Sequence, residues 1–499
     1  MKSGIIAVLA LCLLSPLRAA FPFAEATIDD LQARMAAGTL TARALTEAYL
    51  GRIAEIDRAG PRLNAIIELN PEALAIAERL DAERKAGKVR GPLHGIPVLI
   101  KDNIATADKM ETTAGSLALV GLKPPRDAHL VSRLRDAGAV ILGKTNLSEW
   151  ANFRGERSVS GWSARGGQTL NPYVLDKSPS GSSSGSAVAV AANLCVAAIG
   201  TETFGSIISP STVCGVVGFK PTLGLVSRSG VIPIAAAFDT AGPITRTVRD
   251  AALMLAALGG PDARDEATRG LPPGLPEKMT AAIPTGALRG ARIGVVRGSG
   301  IRIGDKMLTA ALDVLRGAGA EVVEVGELSG VANIGGARTE VMLYEMKAGI
   351  NAYLAELGPD APIKSMTDII TFNDGNWAKE QPLFGQQHFT RSAAKGPLTD
   401  PAYLDALAHC RRAARTEGID ALVERHRLDA LVGGVLGAAA MAGYPSVTVP
   451  FGVVSGLPVG FLFCGAVWTE VKLLALAADF EAHTRARREP QFLPTVPAP

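Results

Sequence analysis

Short apolar runs of strand length alternate with helical patterns along this chain, and that alternation restricts it to an α/β fold. Residues 95–100 (GIPVLI) are continuously apolar and stop abruptly at Lys101-Asp102-Asn103. A run of that length reads as a buried strand. Residues 139–142, 198–203, 293–296, 321–325 and 430–432 have the same character, and further strands fall within 446–464. Helical patterns cover 27–56, 72–88, 129–137, 186–197, 306–318, 401–426 and 469–485. Thr27 and Asp30 have the spacing of a capping box. At ~150 residues per domain the length would allow about three domains, or one large α/β unit. The pattern predicts an α/β fold with a largely parallel sheet. The Pro- and Gly-rich stretch 259–288 reads as a surface excursion, and the proline-rich tail from Glu489 as shallowly packed.

Composition excludes several classes of function. Hydrophobic residues make up 47% and charged residues 20%, an ordinary globular balance rather than a disordered one. Net charge is only +3, without the basic excess of a nucleic-acid binder. The six histidines are scattered and have no ligand spacing, so no metal site is expected. Lys2 precedes an apolar run over residues 5–14, too short to span a membrane, and Pro16, Ala19 and Ala20 follow. Residues 1–20 therefore read as a signal peptide and 21–499 as the mature domain. That predicts a periplasmic or secreted protein with no membrane association after cleavage. Four cysteines remain beyond the leader, Cys195, Cys214, Cys410 and Cys464. Their spacings match no metal or redox motif, and most lie in apolar runs that suit buried free thiols. A Cys195–Cys214 disulfide stays open at this point.

The Ser/Gly patch from Ser178 to Ser186 (SPSGSSSGS) is the one low-complexity segment. A flexible linker is the simplest reading. It fits poorly, because the patch opens directly into an apolar small-residue helix. Next comes a strand-like run ending at Thr203-Phe204-Gly205-Ser206. A serine on a sharp glycine turn after a strand suits a nucleophile. Such a serine needs a base. Lys101 ends an apolar strand, where desolvation lowers a lysine pKa from its usual ~10.4 and favours the neutral amine. The other reading of Lys101 is a strand-end cation paired with Asp102. Glu149, Trp150, Asn152 and Arg154 are further candidates to line a site, or to pack the core and pair within it.

Several segments then converge on one family. The stretch 178–222, GPLHGIPVLIKDNI around Lys101, GKTNLSEWANFRG from Gly143, NPY at Asn171, AGYPSVTVPFG from Ala442 and GLPVGFLF from Gly456 resemble the amidase signature family. The flavour is that of its bacterial peptide amidases, and the segments occur in order over nearly the whole mature chain. The resemblance implies a single large α/β/α amidase-signature domain, its central mixed, mostly parallel sheet covered by helices, that hydrolyses a carboxamide, such as the C-terminal amide of a peptide, to the acid and ammonia or amine. It implies Ser206 as nucleophile, Ser182 as a bridging serine after a cis bond from Gly181, and Lys101 as the base. It implies an oxyanion hole from the N–H groups of Thr203, Phe204, Gly205 and Ser206, with Ser183 supporting the triad. It implies no cofactor or metal; the partner is an amide substrate, with no nucleic acid. Phe204 stands where the family commonly has glycine, Ile208 where other branches carry arginine, and residues 433–440 are shorter than usual. Two other readings stand beside this one. The first is an amidotransferase subunit that generates ammonia for a tRNA-linked carboxylate, which the leader disfavours. The second is a non-catalytic binding protein on the same scaffold.

Overall fold

In the computed structural model, residues 21–281, 283–298 and 304–496 are described. The expected signal peptide lies outside them. The strands are β1 (Ile66–Leu69), β2 (Pro97–Lys101), β3 (Val140–Thr145), β4 (Trp162–Ser163), β5 (Gly167–Gln168), β6 (Ala197–Glu202), β7 (Val217–Lys220), β8 (Thr240–Thr245), β9 (Arg292–Arg297), β10 (Glu321–Glu327), β11 (Ala430–Gly433), β12 (Ser446–Val454) and β13 (Leu457–Cys464). Eleven of them form one mixed sheet in the order β1-β3-β2-β6-β8-β7-β12-β13-β11-β9-β10, and β4 and β5 make a small separate hairpin. Parallel pairing is concentrated in two blocks, β3-β2-β6 and β11-β9-β10. Between the blocks the strands run antiparallel, and of these pairs β12 and β13 form a hairpin whose two-residue link Ser455–Gly456 can only reverse the chain. The helix–strand alternation in the sequence therefore describes the flanks of the sheet better than its centre.

Helices cover both faces, and strand alternation divides the apolar residues between two cores. Ala430 and Val432 of β11 belong to one core, whereas Leu431 belongs to the other. The capping box at Thr27 is present, but the expected helix over 27–56 is broken. Gly38, at a φ of +70°, follows the first helix, and Thr41 caps the next. The expected helix over 186–197 runs instead from Ser184 to Ala191, and Asn193 in the left-handed region turns the chain into β6. The helical stretch 401–426 carries a wide turn at Arg415–Ile419. The chain between β10 and Pro401 contributes the long helix Gly335–Glu356, which no sequence pattern above anticipates. Cys195, Cys214, Cys410 and Cys464 are all buried free thiols, which closes the question of a Cys195–Cys214 bridge. The tail over 489–496 packs shallowly, with no buried residue, and is held by a bridge between Leu493 and Val174 and by Phe492 against the core.

The Ser/Gly patch is fixed in place. All eight residues of helix Ser184–Ala191 are buried against the sheet. A side chain at Gly185 would strike the carbonyls of Ala65 and Asn146, so only glycine lets the helix approach this closely. Ser184 Oγ donates to the Ser180 carbonyl at 2.6 Å, and the Ser148 N–H donates to the Ser182 carbonyl at 3.1 Å. The serines here satisfy the backbone of a buried turn rather than solvating a linker.

Candidate active site

β2 and β6 lie side by side and parallel, with Ile100 opposite Ile199. Their C-terminal ends thus deliver Lys101 and Thr201 to the same point, the edge at which open α/β sheets hold their ligands. Lys101 is fully buried. Its Nζ contacts Ser182 Oγ at 2.7 Å, Thr201 Oγ1 at 2.9 Å, Ser183 Oγ at 3.1 Å and the Thr201 carbonyl at 3.3 Å. Burial lowers its pKa to about 7, and the carboxylates of Asp239 and Glu202 oppose that fall. The Asp102 carboxylate points elsewhere: it accepts from Thr113 Oγ1 at 2.5 Å and Gly115 N at 3.1 Å, and pairs with Arg165 at 3.3 Å. The strand-end pairing of Lys101 with Asp102 is therefore not the arrangement found.

The peptide bond between Gly181 and Ser182 is cis. Ser183 ties three segments together. Its N–H donates to the Ser206 carbonyl at 3.1 Å, its Oγ donates to the Thr201 carbonyl at 3.0 Å, and the Thr201 N–H donates back to that Oγ at 3.2 Å. A Cβ at Gly200 would lie 2.8 Å from Ser183 Oγ, so the glycine keeps room for this bond.

The turn Thr203–Ile207 follows β6. Gly205 has a φ of +82°, which a side chain would strain. The buried Glu202 carboxylate closes the turn by accepting from the N–H groups of Ile207 and Ile208 at 2.8 and 3.0 Å. The N–H groups of Phe204, Gly205 and Ser206 meet no acceptor among the described residues. Thr203 Oγ1 donates to Asp239, which also accepts from the N–H groups of Ile234 and Ala235 at 2.8 and 2.9 Å. Burial raises the Asp239 pKa to about 6.

Ser206 is partly exposed and lines a cleft of about 260 Å³ with Gly181, Phe204, Arg338, Met342 and His388. His388 stacks on Phe153 at 4.5 Å between ring centroids, and burial lowers its pKa. Ala151 and Asn152 form part of the wall, at the end of a run from Trp150 with three successive positive φ angles. Of the four further candidates from that segment, only Asn152 reaches the cleft. Glu149 and Arg154 form a fully buried ion pair, joined by Glu380 at 3.3 Å, and Trp150 packs edge-on against Phe389. The short segment 433–440 begins the helix Leu436–Ala442, and a Cβ at Gly437 would lie 3.5 Å from the Phe204 ring. Phe204 thus fills space beside that segment.

The structure brings Lys101, Ser182, Ser183, Ser206 and the turn Thr203–Gly205 into one region. Sequence reasoning missed Thr201, Asp239 and Arg338. Thr201 sits inside the signature stretch 178–222 and was within reach of it. Asp239 and Arg338 arrive from separate segments with no local signal.

Comparison with known proteins agrees with this geometry. The family model described as Amidase matches residues 44–441. A peptide amidase from Stenotrophomonas maltophilia of solved structure is 52% identical, with a TM-score of 0.90 over 95% of this chain and 99% of that one. A probable amidase from Arabidopsis thaliana is 42% identical over 96% of this chain and 93% of its own length. A glutamyl-tRNA(Gln) amidotransferase subunit from Halorhodospira halophila is 34% identical over 92% of this chain and 97% of its own.

Proposed function

The chain belongs to the amidase family and is a hydrolase of amide C–N bonds, and from that premise we propose that it cleaves a primary carboxamide, the C-terminal amide of peptides in particular, through an acyl-enzyme on Ser206. The observation that carries this reading is the 2.7 Å contact between Lys101 Nζ and Ser182 Oγ in a water-excluded site. With a pKa of about 7, the amine is neutral in a large fraction of molecules at neutral pH. A neutral amine has two N–H bonds and one lone pair. Ser183 Oγ and Thr201 Oγ1 accept the two N–H bonds, which leaves the lone pair facing Ser182 Oγ.

Ser182 passes its proton to Lys101 as it takes the proton of Ser206. The Ser206 oxygen then forms a bond to the amide carbon. Negative charge gathers on the carbonyl oxygen, and the unengaged N–H groups of Phe204, Gly205 and Ser206 stabilise it; one such donor is worth ~10²–10³ in rate. The C–N bond breaks as the proton returns from Lys101 through Ser182 to the nitrogen. Ammonia leaves, and water releases the acid by the same relay. The likeness to a peptide amidase supports the peptide class of substrate. The leader-like pattern of Lys2 and the apolar run over residues 5–14 supports a periplasmic or secreted site of action, which the N-terminal mass of protein recovered from those fractions would test.

The decisive experiment is intact mass after exposure to a serine-directed fluorophosphonate. One adduct on the wild type and none on Ser206→Ala is expected. A folded wild type that takes no adduct would overturn the nucleophile assignment and favour a binding protein.

A further inference from the structure

Arg338 stands on the helix Gly335–Glu356 between two clefts. One is the Ser206 cleft, and the other, of about 450 Å³, is lined by Arg297, Glu327, Gly434 and Met441; Phe204 and Arg338 border both. The guanidinium carbon lies 3.9 Å from the centroid of the Phe204 ring. That contact over the ring engages none of the five N–H donors of the guanidinium. Among the described residues this guanidinium makes no ion pair and no hydrogen bond. Arg297, the other cation of the second cleft, is paired with Glu324 at 2.7 Å. A half-buried guanidinium that borders a catalytic cleft and lacks a carboxylate is a site prepared for an anion.

The position of the anion on the substrate follows from the same residues. The N–H of Phe204 is one of those turned toward the carbonyl oxygen in the proposed amidase reaction, on which this inference rests. The ring of the same residue carries Arg338. An anion bound by Arg338 is therefore close to the carbonyl that Ser206 attacks. The departing ammonia offers no negative charge, so the anion must belong to the acyl part.

We propose that Arg338 selects amides whose acyl portion carries a carboxylate on a short chain, such as peptide amides with an acidic C-terminal residue.

The test compares N-acetyl-glutamate α-amide with N-acetyl-methionine amide, which is similar in length and uncharged. The wild type should favour the glutamate amide in kcat/KM by about tenfold or more, as expected for a charge-assisted pair. Arg338→Gln should bring that ratio to one or below, and Arg338→Lys should keep part of it. If Arg338 only props Phe204, Arg338→Gln lowers both rates together and leaves the ratio intact, which overturns the proposal. A binding measurement separates this outcome from failure of the amidase reading. In Ser206→Ala, calorimetry should find tighter binding of the glutamate amide than of the methionine amide. That preference should vanish in Ser206→Ala/Arg338→Gln. Equal binding of the two amides by Ser206→Ala overturns the proposal, whether or not the wild type turns either amide over.

Discussion

Lys101 Nζ, at the end of β2, and Ser182 Oγ, in the turn before the buried helix Ser184–Ala191, lie 2.7 Å apart and both out of contact with water. The pH dependence follows from this pair. In the proposed reaction Lys101 must be neutral to accept a proton, so kcat/KM should rise with pH through about 7 and then level. Lys101→Ala should lose at least ~10³ in kcat, and its residual rate should lack that ionisation. The sign for stability is the same. The folded-state value lies below the ordinary lysine value, so the folded protein holds fewer protons than the unfolded chain between about 7 and ~10. The Lys101 contribution to stability is full above that window and is lost as pH falls through it. Denaturant titrations of wild type and Lys101→Met at about pH 6 and about pH 9, on either side of the folded-state value, should differ in this direction.

Asp239 contributes a negative charge that opposes the fall in the Lys101 pKa, and it also holds Thr203. Asp239→Asn should therefore shift the acid limb of the pH–rate profile to lower pH. The amide side chain can still accept from the N–H groups of Ile234 and Ala235, so the turn should survive. A limb that stays in place or moves to higher pH would contradict the assigned coupling.

Gly200→Ala probes the support that Ser183 gives to Lys101. The new methyl group would lie 2.8 Å from Ser183 Oγ and 3.0 Å from its Cβ, so Ser183 must move. Overpacking of this kind costs about 1–3 kcal/mol of stability. The kcat should also fall by about tenfold or more, although the substitution touches neither Ser182 nor Ser206. Steady-state rates and a thermal melt of the same sample check both effects.

Arg154 answers to stability rather than to rate. Its guanidinium is fully buried between Glu149 and Glu380 and also donates to the Phe384 carbonyl at 3.1 Å. Arg154→Met would leave two buried carboxylates without their cation, which typically costs about 3–5 kcal/mol. The loss should appear in the denaturation midpoint at neutral pH. It should shrink on acidification, because protonated carboxyls no longer need the partner.

The sequence was most informative where chemistry and local structure coincide. Lys101 ends a continuous apolar run, which placed it at a strand end, and the structure decided between a desolvated amine and a cation paired with Asp102. The turn at Gly205-Ser206 follows a strand in the same direct way, and the signature segments tied both to Ser182. Helix boundaries were less legible. The break at Gly38 and the turn at Asn193 after the helix stops depend on single residues entering the left-handed region, which apolar periodicity does not register. Glu149, Trp150 and Arg154 were ambiguous because aromatic and charged residues suit a pocket wall and a buried ion-pair network equally well. Packing against Phe384, Phe389 and Glu380 resolved them.

The residues by themselves determined an α/β fold, a lysine at the end of an apolar run and a serine on a glycine turn, because each is written in a contiguous stretch. Only the tertiary structure decided what surrounds them. Thr201 accepts from Lys101 because β2 and β6 run parallel in one register. Asp239 reaches Thr203 from a separate loop. Arg338 meets Phe204 from a helix more than a hundred residues away along the chain, and among the described residues the fold places no carboxylate against its charge. Electrostatic and packing interactions act through space over a few ångströms, so a linear sequence specifies them only after the fold has brought distant segments together.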